Sequence, residues 1–510
     1  MATAQAKTVS GRLLLFAVDA KAARAEAKDG KVDEVEFSPF SRETGAVAAR
    51  EITHLTPGQD QPFNADEVAY PSGFSKLPAG DYLMQAVLDV NHDYNYGGRG
   101  AGDVISQVFE VKLPATRLPT ITLVSTVPAE GDMWTVRKGA SAAMVALAKA
   151  DMPAMKQVTH AIDFVSPSLS AFWGRPIHMK GWVLTPPGYD PKANRRYPVV
   201  YYTHGYTGNL RDLLHPATGV FEGMKHGTMP PMIWVFLDES SATGTHEFAD
   251  SVNNGPWGHA LTTELIPELE TTYRMDGKAS GRFLNGHSSG GWATLWLQTR
   301  YPKVFGGTWS TSPDPSDFHD FTGPDIYAAN ANVYHRPDGS LYPLMRDKGK
   351  VLATFKSFAQ MERVLGPYGG QMASFEWVFS PRGEDGRPQE LFDRDTGDVD
   401  PAVAAYWHDH YDIANLVKSH WSTLKPDLDG KIHLYVGTAD TFFLDGAAHK
   451  LKAVLDGLGA KSDFRFIPGK THFDLYAKGD DRDFLLRDIA WQMYRSARPD
   501  STLKPTAATP

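Results

Sequence analysis

The chain of 510 residues sets 51 lysines and arginines against 60 acidic residues, for a formal net charge of −9, and 42% of it is hydrophobic. That length exceeds what one core ordinarily organises, and the charges, spread without a long single-sign run, leave no footprint for nucleic acid or an anionic membrane surface. No window approaches 18 uninterrupted apolar residues, and the absence of cysteine excludes disulfides, thiolate metal sites and cysteine nucleophiles.

A cysteine-free chain suits an oxidising compartment, so a periplasmic or secreted location is expected, although Met1 to Gly11 shows neither the basic start nor the apolar run of a secretory signal. Residues 1–127 read as short strands between turns: Leu13 to Val18, Tyr82 to Leu88, Val104 to Leu113 and Ile121 to Val124. Their spacing predicts a small all-β sandwich of immunoglobulin-like character, interrupted by one helix-prone patch, Ala20 to Lys28. Asp89-Val90-Asn91-His92-Asp93-Tyr94-Asn95 opens like a calcium loop, but tyrosine stands where the tight turn wants glycine and Gly100 where glutamate should close the site. It is read as a plain loop.

Residues 128–157 form the expected connector, and an Ala-, Met- and Lys-rich composition running on to Val165 predicts helix there. From 158 to 498, strand-like runs at Gly181 to Leu184, Pro198 to Thr203, Met232 to Leu237, Arg282 to Gly286, Gly306 to Thr311, Lys431 to Val436 and Phe464 to Ile467 alternate with amphipathic stretches. That alternation predicts an α/β fold, a mostly parallel sheet flanked by helices. Leu451, Val454, Leu455 and Leu458 keep helical spacing before Gly459. Residues 313–425 exceed any simple crossover and are expected to be a helical and loop insertion, placed like a cap. Residues 499–510 are expected to be a disordered tail.

The chemistry concentrates in Phe283-Leu284-Asn285-Gly286-His287-Ser288-Ser289-Gly290-Gly291, a strand end, G-x-S-x-G and the start of a helix. A serine hydroxyl becomes nucleophilic in a sharp turn whose small neighbours expose it beside a base and a helix N-terminus. Ser288 is therefore the expected nucleophile; Ser289, in the shifted frame, lacks the first glycine. Oxyanion donors are expected from the backbone N–H groups of Tyr206, in the loop Thr203-His204-Gly205-Tyr206-Thr207-Gly208, and of Ser289. In the α/β-hydrolase order the acid follows the serine and the histidine comes last. Asp440 ends the strand text Val436-Gly437-Thr438-Ala439-Asp440, and His472 ends Ile467-Pro468-Gly469-Lys470-Thr471-His472. Asp445 competes as the acid but falls at a helix start, where capping explains a carboxylate. His204, His246 and His287 compete as the base but lack the final-strand position. His204, with His246, Phe248 and Trp257 on the loop after Leu237, is a candidate substrate contact. His408-Asp409-His410 with Asp412 matches no strong zinc spacing, and no metal or cofactor is expected.

These residues carry a resemblance. The catalytic half, over roughly residues 160 to 497, resembles the esterases related to esterase D and enterochelin esterase within the α/β-hydrolase superfamily, through Phe172-Trp173-Gly174-Arg175-Pro176, Tyr202-Thr203-His204-Gly205, Gly286-His287-Ser288-Ser289-Gly290-Gly291, Gly437-Thr438-Ala439-Asp440 and Gly469-Lys470-Thr471-His472. The resemblance implies Ser288, Asp440 and His472 as the triad, and some relatives carry an N-terminal immunoglobulin-like domain that helps shape the cleft. The insertion is larger than in compact members. Its aromatics Phe318, Phe321, Tyr327, Phe375, Trp377, Phe379, Tyr406 and Trp407 are candidates either for an aromatic acyl group or for the insertion's own core.

The expected function is a serine-dependent carboxylic ester hydrolase working through an acyl-enzyme on a small-molecule or polymer-linked ester, with feruloyl, acetyl, siderophore and polyester substrates all open. The alternatives are a peptidase or amidase on the same scaffold, and a binding protein with a vestigial hydrolase. The absence of propeller-like repeats speaks against the common peptidase architecture. Oligomeric state is not legible in the sequence.

Overall fold

Apolar runs buried on both faces organise the N-terminal residues of the computed structural model into one sheet. The structure describes the chain apart from residues 1, 4–6, 28, 39–44, 116–118, 130, 136–150, 367–369 and 507–510. The main strands are β1 (Val9–Asp19), β2 (Gly45–Leu55), β3 (Gly80–Asp89), β4 (Val104–Ser106), β5 (Phe109–Leu113) and β6 (Thr122–Thr126), paired antiparallel in the order β6-β4-β3-β1-β2, with β5 also on β3. Being central, β1 buries both faces: Leu13, Leu15 and Ala17 enter one core, Leu14, Phe16 and Val18 another. Helix α1 (Ala20–Glu26) occupies the helix-prone patch, started by Asp19, whose carboxylate accepts the Ala22 N–H at 2.8 Å.

The second sheet, eight strands long, runs β16-β15-β12-β11-β9-β10-β8-β7. Its strands are β7 (Thr159–Val165), β8 (His178–Leu184), β9 (Val199–Thr203), β10 (Ile233–Leu237), β11 (Arg282–His287), β12 (Gly307–Thr311), β15 (Ile432–Gly437) and β16 (Ser462–Ile467); β13 (Pro343–Asp347) and β14 (Lys350–Thr354) form a separate hairpin. The run from β10 to β16 is parallel, while β8 pairs antiparallel with β7 and β10. One correction arises here. Thr159–Val165, expected as the end of a helical connector, is the edge strand β7, and most of the connector, residues 136–150, lies outside the described residues.

Helices cover both faces. α2 (Leu214–Lys225) and the last helix, Phe484–Ala497, pack on one side through Val220, Phe221, Leu485 and Ile489; α3 (Ser289–Arg300) packs on the other through Ala293 and Leu297. A parallel sheet buried on both faces, with the serine turn between β11 and α3, is the α/β-hydrolase fold.

Between β12 and β15 the insertion adds the β13–β14 hairpin, α4 (Phe355–Leu365), α5 (Gln371–Phe379), α6 (Pro401–His410) and α7 (Ile413–Leu428). Phe318, Phe321, Phe375, Phe379 and Trp407 are each at most 4% exposed and share one cluster. The insertion's aromatics therefore serve chiefly its own core, which resolves the choice left open by the sequence. Beyond the insertion, α8 (Asp445–Gly457) and α9 (Phe484–Ala497) complete the fold.

Helix α4 bridges the two sheets. Thr354 and Ser357 form a capping box at its start, and its Met361, Val364 and Leu365 close the second core of the N-terminal sheet, against Leu14, Phe16 and Val18. At its other end Arg12 of β1 donates to the Val364 and Arg363 carbonyls, each at 3.0 Å, satisfying acceptors that the helix itself leaves open. The C-terminal segment 499–506 lacks regular structure, yet the Thr506 N–H donates to the Gly227 carbonyl at 2.9 Å. Among the described residues no helix is long and apolar enough to cross a membrane.

Candidate active site

Parallel strands place every loop that leaves a carboxyl end at one edge of the sheet, and β9, β11, β12, β15 and β16 all discharge there. Ser288 sits between β11 and α3 with φ 61° and ψ −125°, a conformation that costs a non-glycine residue on the order of 1–3 kcal/mol. Close packing holds it. A Cβ on Gly286 would lie 2.2 Å from the Gly290 carbonyl oxygen, and one on Gly290 would lie 2.2 Å from the carbonyl oxygen of His204. The glycines of the motif are thus required by backbone contact on both sides of the serine.

His472 follows β16 and Asp440 follows β15. The Nδ1–H of His472 donates to Asp440 Oδ2 at 3.0 Å, and the two residues are 4% and 0% exposed. Burial alone would push the Asp440 carboxyl up. The charge and hydrogen bond of His472, with the Phe442 N–H and the Ser312 hydroxyl, instead hold it below its ordinary value. The carboxylate therefore stays ionised beside the imidazole. Ser288 and His472 open on one cleft of about 680 Å³, whose walls include Tyr96 and Ser38 from the N-terminal sheet's loops, Phe358 and Gln371 from the insertion, and Tyr206, Phe442, Phe473 and Tyr476 from the hydrolase fold.

The oxyanion loop is built by hydrogen bonding from below. His204 Nδ1 faces the Gly205 carbonyl at 2.7 Å and its Nε2 faces Asp238 at 2.9 Å, while the Gly208 N–H also donates to the Gly205 carbonyl. Burial opposes a charge on His204, but the hydrogen bond to Asp238 and the charges of Glu239 and Asp238 raise its pKa. Pinning the Gly205 carbonyl turns the Tyr206 N–H, on the far side of the same planar peptide, away from His204. Among the described residues neither Tyr206 N–H nor Ser289 N–H has a backbone acceptor.

The expected substrate contacts fall elsewhere. His204 is 7% exposed and lies beneath the loop, outside the cleft wall. His246 is 1% exposed, stacked on Trp257 at 3.5 Å and edge-on to Phe248 at 4.6 Å, with its pKa pushed down to about 3 by burial. These three side chains pack the loop against itself. His287, a rival base, is pushed down to about 3 by burial and by its neighbour His472, 4.4 Å away between ring centres. Asp445, the rival acid, begins α8 and pairs with Arg346 at 3.2 Å.

Sequence reasoning missed several residues of the cleft. Phe442 and Phe473 adjoin Asp440 and His472 in the chain, so proximity could have flagged them. Asp314, after β12 and against the serine turn outside the cleft wall, was reachable by the same strand-end argument that selected Asp440. Tyr96, Phe358 and Gln371 carried no local signal.

Beneath the cleft, Glu239 is fully buried and pushed up to about 8 by that burial, eased by the charge of His204. Its ordinary value is 4.5, so the folded chain holds this proton more tightly than the unfolded chain does. Glu239 therefore weakens the fold progressively as pH rises from about 4.5 to about 8 and adds no further change above that, at up to about 1.4 kcal/mol per pH unit. Glu239→Gln is expected to raise the Tm by roughly 2–5 °C at pH 8 and to leave it unchanged near pH 4.5. Melting curves over that range check it, and a gain independent of pH would contradict it.

The sequence model of a family described as "Putative esterase" matches residues 170–457, more than half of the chain. No curated protein matches it. Among solved structures it is similar to a ferulic acid esterase from Anaeromyces mucronatus, at 15% identity over 66% of this chain and 91% of that one, with a TM-score of 0.36. It is also similar to a fluorophosphonate-binding serine hydrolase of Staphylococcus aureus, at 11% identity over 66% and 98% with a TM-score of 0.39. An S-formylglutathione hydrolase from Agrobacterium tumefaciens matches at 14% identity over 66% and 95%, with a TM-score of 0.36.

Proposed function

The chain belongs to that esterase family and is a carboxylic ester hydrolase, and from this premise we propose that Ser288, His472 and Asp440 carry out the hydrolysis. His472 Nε2 takes the proton of the Ser288 hydroxyl as its oxygen attacks the ester carbonyl. The N–H groups of Tyr206 and Ser289 receive the negative charge that develops on the carbonyl oxygen. Collapse of the tetrahedral intermediate breaks the bond to the alcohol, which leaves with the proton from His472. Water, deprotonated by the same imidazole, then releases the acid from the acyl-enzyme. Asp440 fixes the tautomer in which Nε2 is free to accept. The observation that carries this reading is the buried His472–Asp440 hydrogen bond opening on the same cleft as a serine in a strained strand-to-helix turn.

The cleft wall favours a neutral aromatic ester. Tyr96, Tyr206, Phe358, Phe442 and Phe473 line it, and among its described residues none is lysine or arginine. Tyr96 stands 5.4 Å from Phe358 and 6.3 Å from Tyr206, ring centre to ring centre, so the N-terminal sheet supplies one side of the wall. Ring pairing contributes about 0.5–1.5 kcal/mol beyond area. With methyl cinnamate and methyl butyrate compared directly, kcat/KM is expected to favour the cinnamate. Tyr96→Ala is expected to raise KM for the cinnamate by roughly 2–10-fold while leaving the butyrate nearly unaffected. Equal losses on both esters would remove the aromatic part of the reading and leave the hydrolase intact.

A further inference from the structure

The proposed mechanism leaves one carboxyl at the nucleophile unused. Asp314 follows β12 and reaches the serine turn twice: its backbone N–H donates to the Ser288 carbonyl at 3.2 Å, and its Oδ2 accepts the Ser289 hydroxyl at 2.6 Å. Ser289 is fully buried and Asp314 is 5% exposed. Gln371 of the cleft wall also reaches Oδ2, at 3.5 Å. An ionised group is costly in such a place, and loop capping would not require it to touch both residues of the turn.

We infer that Asp314 is a positioning residue for ester hydrolysis: it clamps the Ser288–Ser289 turn, and so the oxyanion N–H of Ser289, and its negative charge supports the imidazolium that His472 becomes. The inference rests on the reading of Ser288 and His472 given above. The clamp is geometric, because Ser289 offers its backbone N–H to substrate only while its own side chain and the carbonyl before it are held from behind.

The charge argument is reciprocal. Burial pushes Asp314 up to about 6, against the Ser289 hydroxyl and the charge of His472, which favour its ionised form, while Asp440 opposes it and the Ser288 hydroxyl favours it. Whatever His472⁺ gives to the Asp314 carboxylate, the carboxylate returns to His472⁺. The remaining groups around it are acids: Glu239 is pushed up to about 8, and Glu247, fully buried, is raised well above its ordinary value by burial, then by Asp314 and Glu239. Of the three, Asp314 is the one whose ionised form the charge of His472 favours.

The test is the pH dependence of kcat/KM on a chromogenic ester in Asp314→Asn and Ser289→Ala. In the wild type, protonation of His472 and of Asp314 both suppress activity, so the acid limb is expected to fall more steeply than one proton allows. Asp314→Asn removes one ionisation and a negative charge that interacts with His472. Its acid limb is expected to have unit slope and to lie at lower pH, with kcat down 10- to 100-fold and KM within 3-fold. Ser289→Ala keeps the carboxyl but strips its hydrogen bond, so its acid limb is expected to move the other way, to higher pH. A purely structural Asp314 would lower activity without displacing either limb.

Limbs that stay in place in both variants overturn the proposal; if Asp314→Asn fails to fold, Ser289→Ala alone decides. Labelling the wild type with a fluorophosphonate and locating the adduct by peptide mass separates the two levels. An adduct on Ser288 with unmoved limbs sinks only the role of Asp314, whereas an adduct on another serine sinks the nucleophile assignment and the proposal with it.

Discussion

Ser288→Ala is expected to lower turnover of a chromogenic short-chain ester by roughly 10⁴- to 10⁶-fold, since members of a triad act as a unit and losing the nucleophile removes the whole covalent route. The fold should survive. The side chain is small, its turn is held by the Ser288 N–H donating to the Thr311 carbonyl at 3.1 Å and by backbone contacts around Gly286 and Gly290, and alanine bears the same positive φ at similar cost. A circular dichroism melt within a degree or two of the wild type, with abolished turnover, is the expected pair of results. Retained turnover would end the assignment of Ser288, whatever the melt.

The second large effect separates two neighbouring acids. Asp440→Asn is expected to reduce kcat by roughly 10³- to 10⁴-fold, because an amide can offer N–H to His472 Nδ1 and stabilise the tautomer whose Nε2 already carries a proton. That imidazole cannot accept the serine's proton. Asp445→Asn removes a carboxylate paired with Arg346 at 3.2 Å at the start of α8, and its effect on kcat is expected to stay within a few-fold. Steady-state kinetics on the two variants side by side decides the matter, and a larger loss in Asp445→Asn would reverse the assignment.

The parallel sheet was legible because buried strands are short apolar runs with turn residues at their ends, and a parallel topology turns strand order into a shared edge. That is why Ser288, Asp440 and His472 could be singled out across a long stretch of chain. The same edge holds Asp314, in a Ser-Pro-Asp-Pro stretch whose composition by itself marks no site. Strand β2 was missed for another reason. Gly45–Leu55 is rich in alanine, which rarely favours a strand, and only its place beside β1, where Ala46, Val47, Ala48 and Ala49 fill narrow cores, makes it one. Thr159–Val165 failed similarly, a half-polar edge strand beside helix-forming text. The loop of His246, Phe248 and Trp257 shows the limit of aromatic composition as a guide, since a ring near a cleft packs against its neighbours as readily as it faces a ligand.

The contact between β1 and helix α4 has a consequence for how the polypeptide is made. Arg12 waits for carbonyl partners that lie 352 and 351 positions downstream, and Leu14, Phe16 and Val18 wait for Met361, Val364 and Leu365. At about 5–20 residues per second on the ribosome, the sheet spends on the order of ten seconds or more with an oily flank bare after its own strands have emerged. That flank is therefore among the last parts of the fold to be finished, and nascent chains stalled before α4 would present it to chaperones or to one another.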